Sequence, residues 1–323
     1  MISVEASETP DSNWNERLIQ SGLGTINQTI QRGIHFERNG QPPLYLKFID
    51  SKGKIVGQLL IGRLSRFEKR GIGRTILQNI PTLKKIVYFW IYGPIFFDST
   101  NCSDIWSSLR TFLDSQNAIP YGTTNPLLKN DSSILSKNFQ TKEWATSIID
   151  LHKTTEELYD NIDKHSGRKN IERAQKRGVH IEEITEKSLL EYHELQNQSK
   201  QRRHEEVTDF QNTLDWWRLI KPLGYTGFLA KKEGKAIGGL TFSFFNRIIV
   251  EAGVARSIDD IEKKLYPQDL IKWKIIEWGV KNKMKFYDLA GFNPYPKTKK
   301  EEGIKRYKTK WGGIKYTYWI IKK

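Results

Sequence analysis

Hydrophobic positions in the first half of the chain form short runs that predict β-strands. Residues 44–50 and 54–64 alternate between apolar and polar side chains around a Ser-Lys-Gly turn, which is typical of a hairpin. Residues 86–91 are continuously apolar, as in a buried central strand. Apolar positions at helical spacing then predict an amphipathic helix over residues 104–115. This half therefore mixes strands with helices.

The second half begins a new series of helices and strands near residue 146. Three strands are predicted between residues 227 and 256, and an amphipathic helix follows over residues 267–283. Its apolar face comprises Leu270, Trp273, Ile276 and Val280. The order of elements is similar in the two halves, although no obvious sequence repeat relates them. We therefore predict an α+β protein with two domains, residues 1–145 and 146–323, each a mixed, twisted sheet flanked by helices.

The stretch 286–313 combines a short strand, a loop rich in Gly and Pro, and a basic helix over residues 303–310. Asp288 lies in the strand and Lys308 in the helix, so this unit can hold a lysine beside a carboxylate. Such a pair is a candidate reaction centre. The alternative is that the lysines of this stretch form a solvated face of a basic protein.

The net charge of the chain indicates which classes of molecule it attracts. The 323 residues include 52 Lys and Arg against 37 Asp and Glu, a net charge of +15. Such a protein attracts RNA, phosphorylated substrates, CoA or, peripherally, an anionic membrane face. Lys169 and Arg173 belong to a run of six cations over residues 164–177, whose mutual repulsion an anionic partner would offset. A solvated basic helix is the other interpretation, and both stay open.

Several classes of protein are excluded by composition. No stretch approaches the roughly 20 apolar residues that a membrane span needs. The polar, acidic N-terminus is not a targeting peptide. Cys102 is the single cysteine, which rules out an internal disulfide, and the six His residues lack metal-hydrolase spacing. We expect a cytoplasmic monomer with no metal and no tightly bound cofactor.

Residues 68–74 are similar to the phosphate loop of GNAT acetyltransferases, in which backbone amides after a Gln or Arg hold the pyrophosphate of acyl-CoA. Here Glu68 occupies that leading position and would repel phosphate. No amphipathic helix follows, because Pro81 interrupts the segment. We therefore interpret Gly71 and Gly73 as parts of a charged hairpin tip.

Motifs in the same order as in one transferase family occur along nearly the whole chain. They are KGKIVGQLLIG (52–62), YGPIFFD (92–98), Asn170-Ile171 with Arg173-Ala174 and Gly178, QSKQRRHE (198–205), YDLAGF (287–292) and KRYKTKWGG (305–313). In this order the sequence resembles the FemAB-like transferases of the GNAT superfamily, and its C-terminal half resembles relatives known as BioF2-like acetyltransferases. Ala290 departs from the pattern, which has Gly there.

The resemblance implies two tandem GNAT-like subdomains. The chain departs from the family members that carry a long coiled-coil arm, because it has no room for one between Gly178 and Gly224. The implied activity moves an aminoacyl group from aminoacyl-tRNA to the amine of a peptidoglycan precursor peptide. One alternative is an acyl-CoA-dependent N-acyltransferase acting on another amine. The second is a non-catalytic RNA-binding protein.

The resemblance also implies roles for particular residues. Tyr307 and Lys308 occupy the family's terminal Phe-Lys pair, whose lysine is important for catalysis. Lys308 would stabilise the tetrahedral oxyanion or hold the phosphate end of the donor. Asp98 matches the acid after the Gly-Pro turn and would orient the acceptor amine. Arg203 or Arg202 matches the arginine that binds the phosphate of the acceptor.

The local sequence pattern and the family resemblance together give the set of predicted site residues. Predicted catalytic residues are Lys308, Asp98 and Asp288. Predicted substrate-binding residues are Arg202, Arg203, Tyr307, Arg173 and Lys169. Together they predict a phosphorylated, amine-bearing acceptor, with tRNA or acyl-CoA as the donor.

Overall fold

A computed structural model describes residues 2–65, 86–128 and 132–322. The chain divides into two compact units. The first contains Met1–Ala145 and Thr317–Lys323, and the second contains Thr146–Tyr316. None of the helices in the described ranges combines the length and the apolar composition that crossing a bilayer requires.

The first unit is a mixed sheet with helices. Its elements are β1 (Ser3–Ser7), α1 (Trp14–Gln20), α2 (Ile30–Arg38), β2 (Pro43–Ile49), β3 (Ile55–Ser65), β4 (Ile86–Trp90), β5 (Ile95–Phe96), α3 (Cys102–Ser115), β6 (Ile119–Thr123) and α4 (Ser132–Asn138). Strands β1 to β4 pair antiparallel in chain order, and β6 pairs parallel to β4. Strand β5 pairs antiparallel with residues 57 and 58 of β3.

The hydrophobic pattern explains the core of this unit. Leu46 and Phe48 of β2, with Leu59 of β3, point to one side of the sheet and are fully buried. Trp106 and Leu109 of α3 pack into the same cluster. Apolar side chains recur at every second residue of the strands and at every third or fourth residue of the helix. Because these side chains are buried together, they fix the register of the strands.

The second unit is built in the same way. It begins within β7 (Gln140–Asp150) and continues with α5 (Thr155–Asn161), a π-helical turn (Lys164–Arg168), α6 (Lys169–Lys176), β8 (His180–Glu183), α7 (Leu189–Arg202), α8 (Phe210–Ile220), β9 (Tyr225–Lys232), β10 (Lys235–Ser243), β11 (Ile248–Arg256), α9 (Ile258–Lys263), α10 (Pro267–Lys281), β12 (Phe286–Phe292) and α11 (Lys299–Thr309). The last strand, β13 (Ile314–Lys322), starts in this unit and belongs to the first unit from Thr317 onwards. The sheet order is β7-β12-β11-β10-β9-β8. Helices α7 and α8 are 14 and 11 residues long and leave no long arm between Gly178 and Gly224.

Two neighbouring strands of this unit are parallel but pair over a short distance. Residues Ile248, Ile249 and Val250 of β11 pair with residues 286–288 of β12, whereas β11 continues to Arg256. Open sheets bind ligands in the crevice at the carboxyl ends of parallel strands. Beyond Val250, β11 stays paired with β10 but has separated from β12, and this gap between the parallel strands is where the fold of this unit leaves room for a ligand.

The end of β12 is held in an unusual backbone conformation. Ala290 has a φ of 60°, in the left-handed region that L-residues avoid. The Asp288 carboxylate accepts the Ala290 amide at 2.9 Å and also bonds the Thr146 hydroxyl, which lies 2.9 Å from the Ala290 carbonyl oxygen. These contacts keep the strand end in place in spite of the strain.

Glycine at position 290 should relieve this strain. The left-handed conformation costs an L-residue about 1–2 kcal/mol. Glycine loses about 0.4–1 kcal/mol of that gain through the flexibility of the unfolded chain. We therefore expect Ala290→Gly to raise the free energy of unfolding by about 0.5–1 kcal/mol in urea titrations.

The matched control is Ala236→Gly on strand β10, where φ is not positive. Glycine inside a strand costs about 0.5–1 kcal/mol relative to alanine, so this variant should lose stability. An equal loss in both variants would contradict the strain at Ala290.

Candidate functional site

A cavity of about 560 Å³ lies in the second unit beside the end of β11, where this strand has separated from β12. Three elements form most of its wall: the end of β11, the first two turns of α10 and one face of α11. The lining residues used below are Glu251, Arg256, Gln268, Asp269, Lys272, Tyr307, Lys308 and Lys310. Its volume is in the range of small-molecule sites.

Helix α11 presents a single face to the cavity. Gly303, Tyr307 and Lys310 are spaced three or four residues apart and therefore fall on the same side. Thr298 caps the helix by accepting the Glu301 amide at 3.2 Å, as expected of an N-cap threonine. The Glu301 carboxylate in turn accepts from the loop that follows β12. The helix start is thus fastened to the strand end.

Lys308 joins this helix to the end of strand β12. Its Nζ donates to the Gly291 carbonyl oxygen at 3.0 Å. Among the described residues, no carboxylate lies within ion-pair distance of it. Burial lowers the pKa of Lys308, although the Glu251 charge opposes this shift. A half-buried ammonium whose bonded partner is a neutral carbonyl is placed to stabilise negative charge on a ligand.

Asp288 lies behind the cavity wall. It is 2% exposed and does not line the cavity. Burial raises its pKa to about 6, and the Thr146 and Ala290 hydrogen bonds and the Lys308 charge only partly offset this effect. The structure brings Lys308 and Asp288 close enough for their charges to interact, and the direct contact of Lys308 is with Gly291. Asp288 holds the strand end from which that carbonyl projects.

Two buried ion pairs connect the cavity walls. Lys272 of α10 binds Glu251 of β11, which also accepts the Tyr287 hydroxyl at 2.7 Å. Asp269, one turn earlier, binds Lys310 just beyond α11. All four charged side chains are 3–6% exposed. Removing one partner of such a pair typically costs about 3–5 kcal/mol, because the other charge is left buried.

These four residues are the ones that sequence reasoning missed. The available signal was the pair Asp269 and Lys272, since both interrupt the hydrophobic start of a strongly apolar helix. Glu251 lies 21 residues from its partner Lys272, and Lys310 lies 41 residues from its partner Asp269. No local pattern joins them.

Positive charge exceeds negative charge in the cavity lining. Five cations, including Lys300 and Arg256, line it against the three acids Glu251, Asp260 and Asp269. An excess of cations in a concave, partly dry site attracts anions. Within the described ranges, no group of three or more His, Cys, Asp or Glu side chains is placed to hold a metal ion.

Tyr307 lies between two ammonium groups. Lys310 Nζ is 4.3 Å from its ring centroid and Lys272 Nζ is 5.6 Å from it, both within cation–π range. Its hydroxyl is buried and has no hydrogen-bond partner among the described residues. Such an unpaired group costs about 1–3 kcal/mol. The predicted substrate-binding position of Tyr307 is thus a lining position of the cavity.

The two predicted phosphate-binding arginines lie at the end of α7 and not in the cavity lining. Arg202 donates to the Arg256 carbonyl oxygen and, at 3.1 Å, to Ser199. Arg203 donates to both carboxylate oxygens of Glu205 at 2.8 Å, and these bonds raise its pKa. Each arginine therefore already has a protein partner in this structure.

Lys169 and Arg173 lie on α6, a short helix that also contributes Asn170 to the cavity lining. Lys169 is exposed. The Arg173 guanidinium lies 5.9 Å from the centroid of the Tyr266 ring and donates to Asn170 at 3.2 Å. The basic segment therefore lies next to the cavity, and Tyr266 offsets part of its charge.

Asp98 belongs to the first unit and is described there by itself. Its carboxylate accepts from the amide and hydroxyl of Thr100, at 2.9 and 2.7 Å, shortly before α3 begins. These bonds lower the pKa of Asp98. The predicted hairpin tip with Gly71 and Gly73 lies outside the described residues.

Comparison with known proteins gives a likeness of fold. No family model matches the chain, and no curated protein sequence matches it. Among solved structures, FemX is similar with a TM-score of 0.71 and 13% identity, over 98% of this chain and 97% of that chain. L-PGS from Bacillus licheniformis is similar with a TM-score of 0.59 and 12% identity, over 97% and 92%.

A third similar structure is a tandem GNAT protein from the clavulanic acid biosynthesis pathway, with a TM-score of 0.55 and 9% identity over 100% of this chain and 98% of that chain. At these identities the comparisons establish the fold alone. They confirm the predicted α+β, tandem GNAT-like architecture. They also confirm, at the level of the fold, the resemblance to FemAB-like proteins.

Replacing Asp288 with Asn should change how stability depends on pH. The pKa is about 6 in the folded protein against a usual 3.8, so between these values the folded state keeps a proton that the unfolded state has released. The free energy of unfolding of the wild type should therefore fall by up to about 3 kcal/mol as pH rises from about 4 to 6. Asp288→Asn lacks this contribution.

Urea titrations at pH 4 and pH 7 measure the effect. The stability of the wild type relative to Asp288→Asn should be lower at pH 7 than at pH 4. The matched control is Asp259→Asn, because the Asp259 side chain is about half exposed and pairs with Lys263 at the surface. Parallel pH profiles for the wild type and Asp288→Asn would show that burial does not hold the proton on Asp288.

Proposed function

We propose that this protein is an acyltransferase that moves an aminoacyl group from aminoacyl-tRNA to the amine of an acceptor such as a cell-wall precursor peptide. The observation that carries the proposal is the position of Lys308. It lies in the lining of the cavity, half-buried, with a carbonyl as its bonded partner. It is also the residue that the FemAB resemblance marks as catalytic.

The reaction requires one group to stabilise developing negative charge. The acceptor amine attacks the ester carbonyl carbon, the carbon–oxygen bond to the tRNA breaks, and an amide forms. The amine loses one proton and the released 3′-oxygen gains one. The Lys308 ammonium would donate a hydrogen bond to the oxyanion of the tetrahedral intermediate. Its lowered pKa also makes it a stronger acid towards the leaving oxygen.

The charge of the cavity supports a phosphorylated donor. The cavity lining contains two more cations than acids, and the whole chain carries a net charge of +15. The terminal phosphates of a charged tRNA match that field. Acyl-CoA is the second candidate donor, because one structure of similar fold is a tandem GNAT protein whose description names AcCoA as the molecule left out of that structure.

The acceptor is proposed from the resemblance. Arg202 and Arg203 stay predicted phosphate-binding residues, and each would have to exchange a present protein partner for the phosphate of the acceptor. Asp98 stays a predicted acceptor-orienting residue. A phosphorylated, amine-bearing acceptor is consistent with the cationic excess of the chain.

Removing the Lys308 side chain should impair transfer far more than folding. If its ammonium stabilises the oxyanion, Lys308→Ala should lower the transfer rate by about a hundredfold or more, the usual effect of losing one such donor. Thermal unfolding should change little, since the side chain contributes one hydrogen bond to a carbonyl. The measurement is amide formation from aminoacyl-tRNA and an amine.

Lys305→Ala is the matched control on the same helix. Lys305 Nζ donates to the Pro294 carbonyl oxygen at 2.9 Å, a contact of the same kind, and Lys305 does not line the cavity. Its variant should retain transfer activity close to the wild type. Equal activity of the two variants would remove Lys308 from the mechanism.

A further inference from the structure

The cavity lining contains three polar atoms that lack a hydrogen-bond partner among the residues that the structure describes. They are the hydroxyl oxygen of Tyr307, Oε1 of Gln268 and Oδ1 of Asp260. The Asp260 carboxylate is already paired with Arg256 through its other oxygen. Buried polar atoms in folded proteins are almost always bonded, so the atoms of Tyr307 and Gln268 require an explanation. A ligand that occupies the cavity would explain both.

The orientation of the Gln268 amide is fixed by its nitrogen. Nε2 donates to the carbonyl oxygens of Gly239 at 3.2 Å and Ala255 at 2.8 Å. Because both partners are acceptors, the nitrogen must occupy this position and the oxygen must lie on the other side. The residue is 6% exposed, so water does not reach it freely. Gln268 Oε1 is thus an acceptor without a donor.

Tyr307 supplies the complementary group. Burial raises the pKa of its phenol well above the usual value, with Asp269 and Glu251 adding to the shift. The hydroxyl therefore keeps its proton and acts as a donor. Tyr307 also stands where the FemAB pattern has Phe, so this hydroxyl is a feature of the present chain rather than of the general pattern.

A ligand that satisfies both atoms offers an acceptor to Tyr307 and a donor to Gln268. We propose that the cavity binds the α-amino acyl group of the donor. Tyr307 donates to the acyl carbonyl oxygen and Gln268 Oε1 accepts from the α-amine. A simple acyl group such as acetyl has no donor and would leave Gln268 unpaired. The proposal rests on the proposed function and makes Tyr307 and Gln268 residues that select aminoacyl over acyl donors.

Binding of three stable analogues of the 3′ end of a charged tRNA tests this proposal without any transfer step. The first, 3′-alanylamido-3′-deoxyadenosine, carries both the carbonyl and the α-amine. The second, the 3′-propionylamido compound, lacks the α-amine. The third, 3′-amino-3′-deoxyadenosine, lacks the acyl group. Affinities are measured by calorimetry with the full-length chain.

The wild type should bind the alanylamido analogue about tenfold more tightly than the propionylamido analogue, the effect of one hydrogen bond. Tyr307→Phe removes a single hydroxyl. It should weaken binding of both acylated analogues about tenfold and leave binding of the 3′-amino compound unchanged. Its thermal stability should equal or exceed that of the wild type, because an unpaired buried hydroxyl is lost.

Gln268→Met removes the acceptor at similar side-chain length and should abolish the preference for the alanylamido analogue. If this variant fails to fold, the comparison of the two acylated analogues on the wild type carries the test of Gln268. Equal affinity of the wild type for those two analogues would overturn the role of Gln268.

Unchanged affinities in Tyr307→Phe would overturn the role of Tyr307. Failure of the wild type to bind any of the three compounds would overturn the whole proposal. A protein that binds them as expected but transfers no acyl group would contradict the proposed function and support this inference.

Discussion

The two buried ion pairs of α10 hold the walls of the cavity together. Lys272 reaches β11 through Glu251, and Asp269 reaches the end of α11 through Lys310. Burying charge is costly, and such pairs contribute little net stability compared with apolar residues of similar shape. Their effect is on geometry, since any other packing of these three elements would leave a charge buried without its partner. The volume between them is the candidate site.

These pairs also determine which charges remain for a ligand. Glu251 and Asp269 are paired with lysines within the protein, so their charges do not repel an anionic ligand such as the proposed donor. Lys308 is bonded to a carbonyl, and its charge is therefore available. Asp288 acts from behind, holding the strained strand end that carries the Gly291 carbonyl. Stability and reactivity of the site thus depend on the same few contacts.

Periodicity and the family resemblance were sufficient to predict the fold class and the helix on which Lys308 lies. The local pattern of residues 286–313 predicts a strand, a loop and a helix, and the structure has those elements in that order. Strand β1 escapes prediction because SVEAS is mostly polar, and only its pairing as an edge strand along β2 makes it a strand. Long-range pairing is not visible in a local pattern.

The interior of the site escaped prediction for a related reason. In α10 the predicted apolar face holds Leu270 and Ile276, yet Asp269 and Lys272 are buried as well. A charged residue normally indicates the solvent side of a helix, and only a partner from a distant element reverses that rule. The unpaired atoms of Gln268 and Tyr307 likewise become visible only when the whole set of hydrogen bonds is known.

The most direct test of the account is the product of the reaction itself. The protein is incubated with a lysine-containing peptide and either alanyl-tRNA or acetyl-CoA, and the peptide is examined by mass spectrometry. The peptide should gain an alanyl group from alanyl-tRNA faster than in the absence of protein, with little acetylation from acetyl-CoA. Acetylation with intact alanyl-tRNA would contradict the proposed donor. No acylated peptide from either donor would contradict the assignment of an acyltransferase.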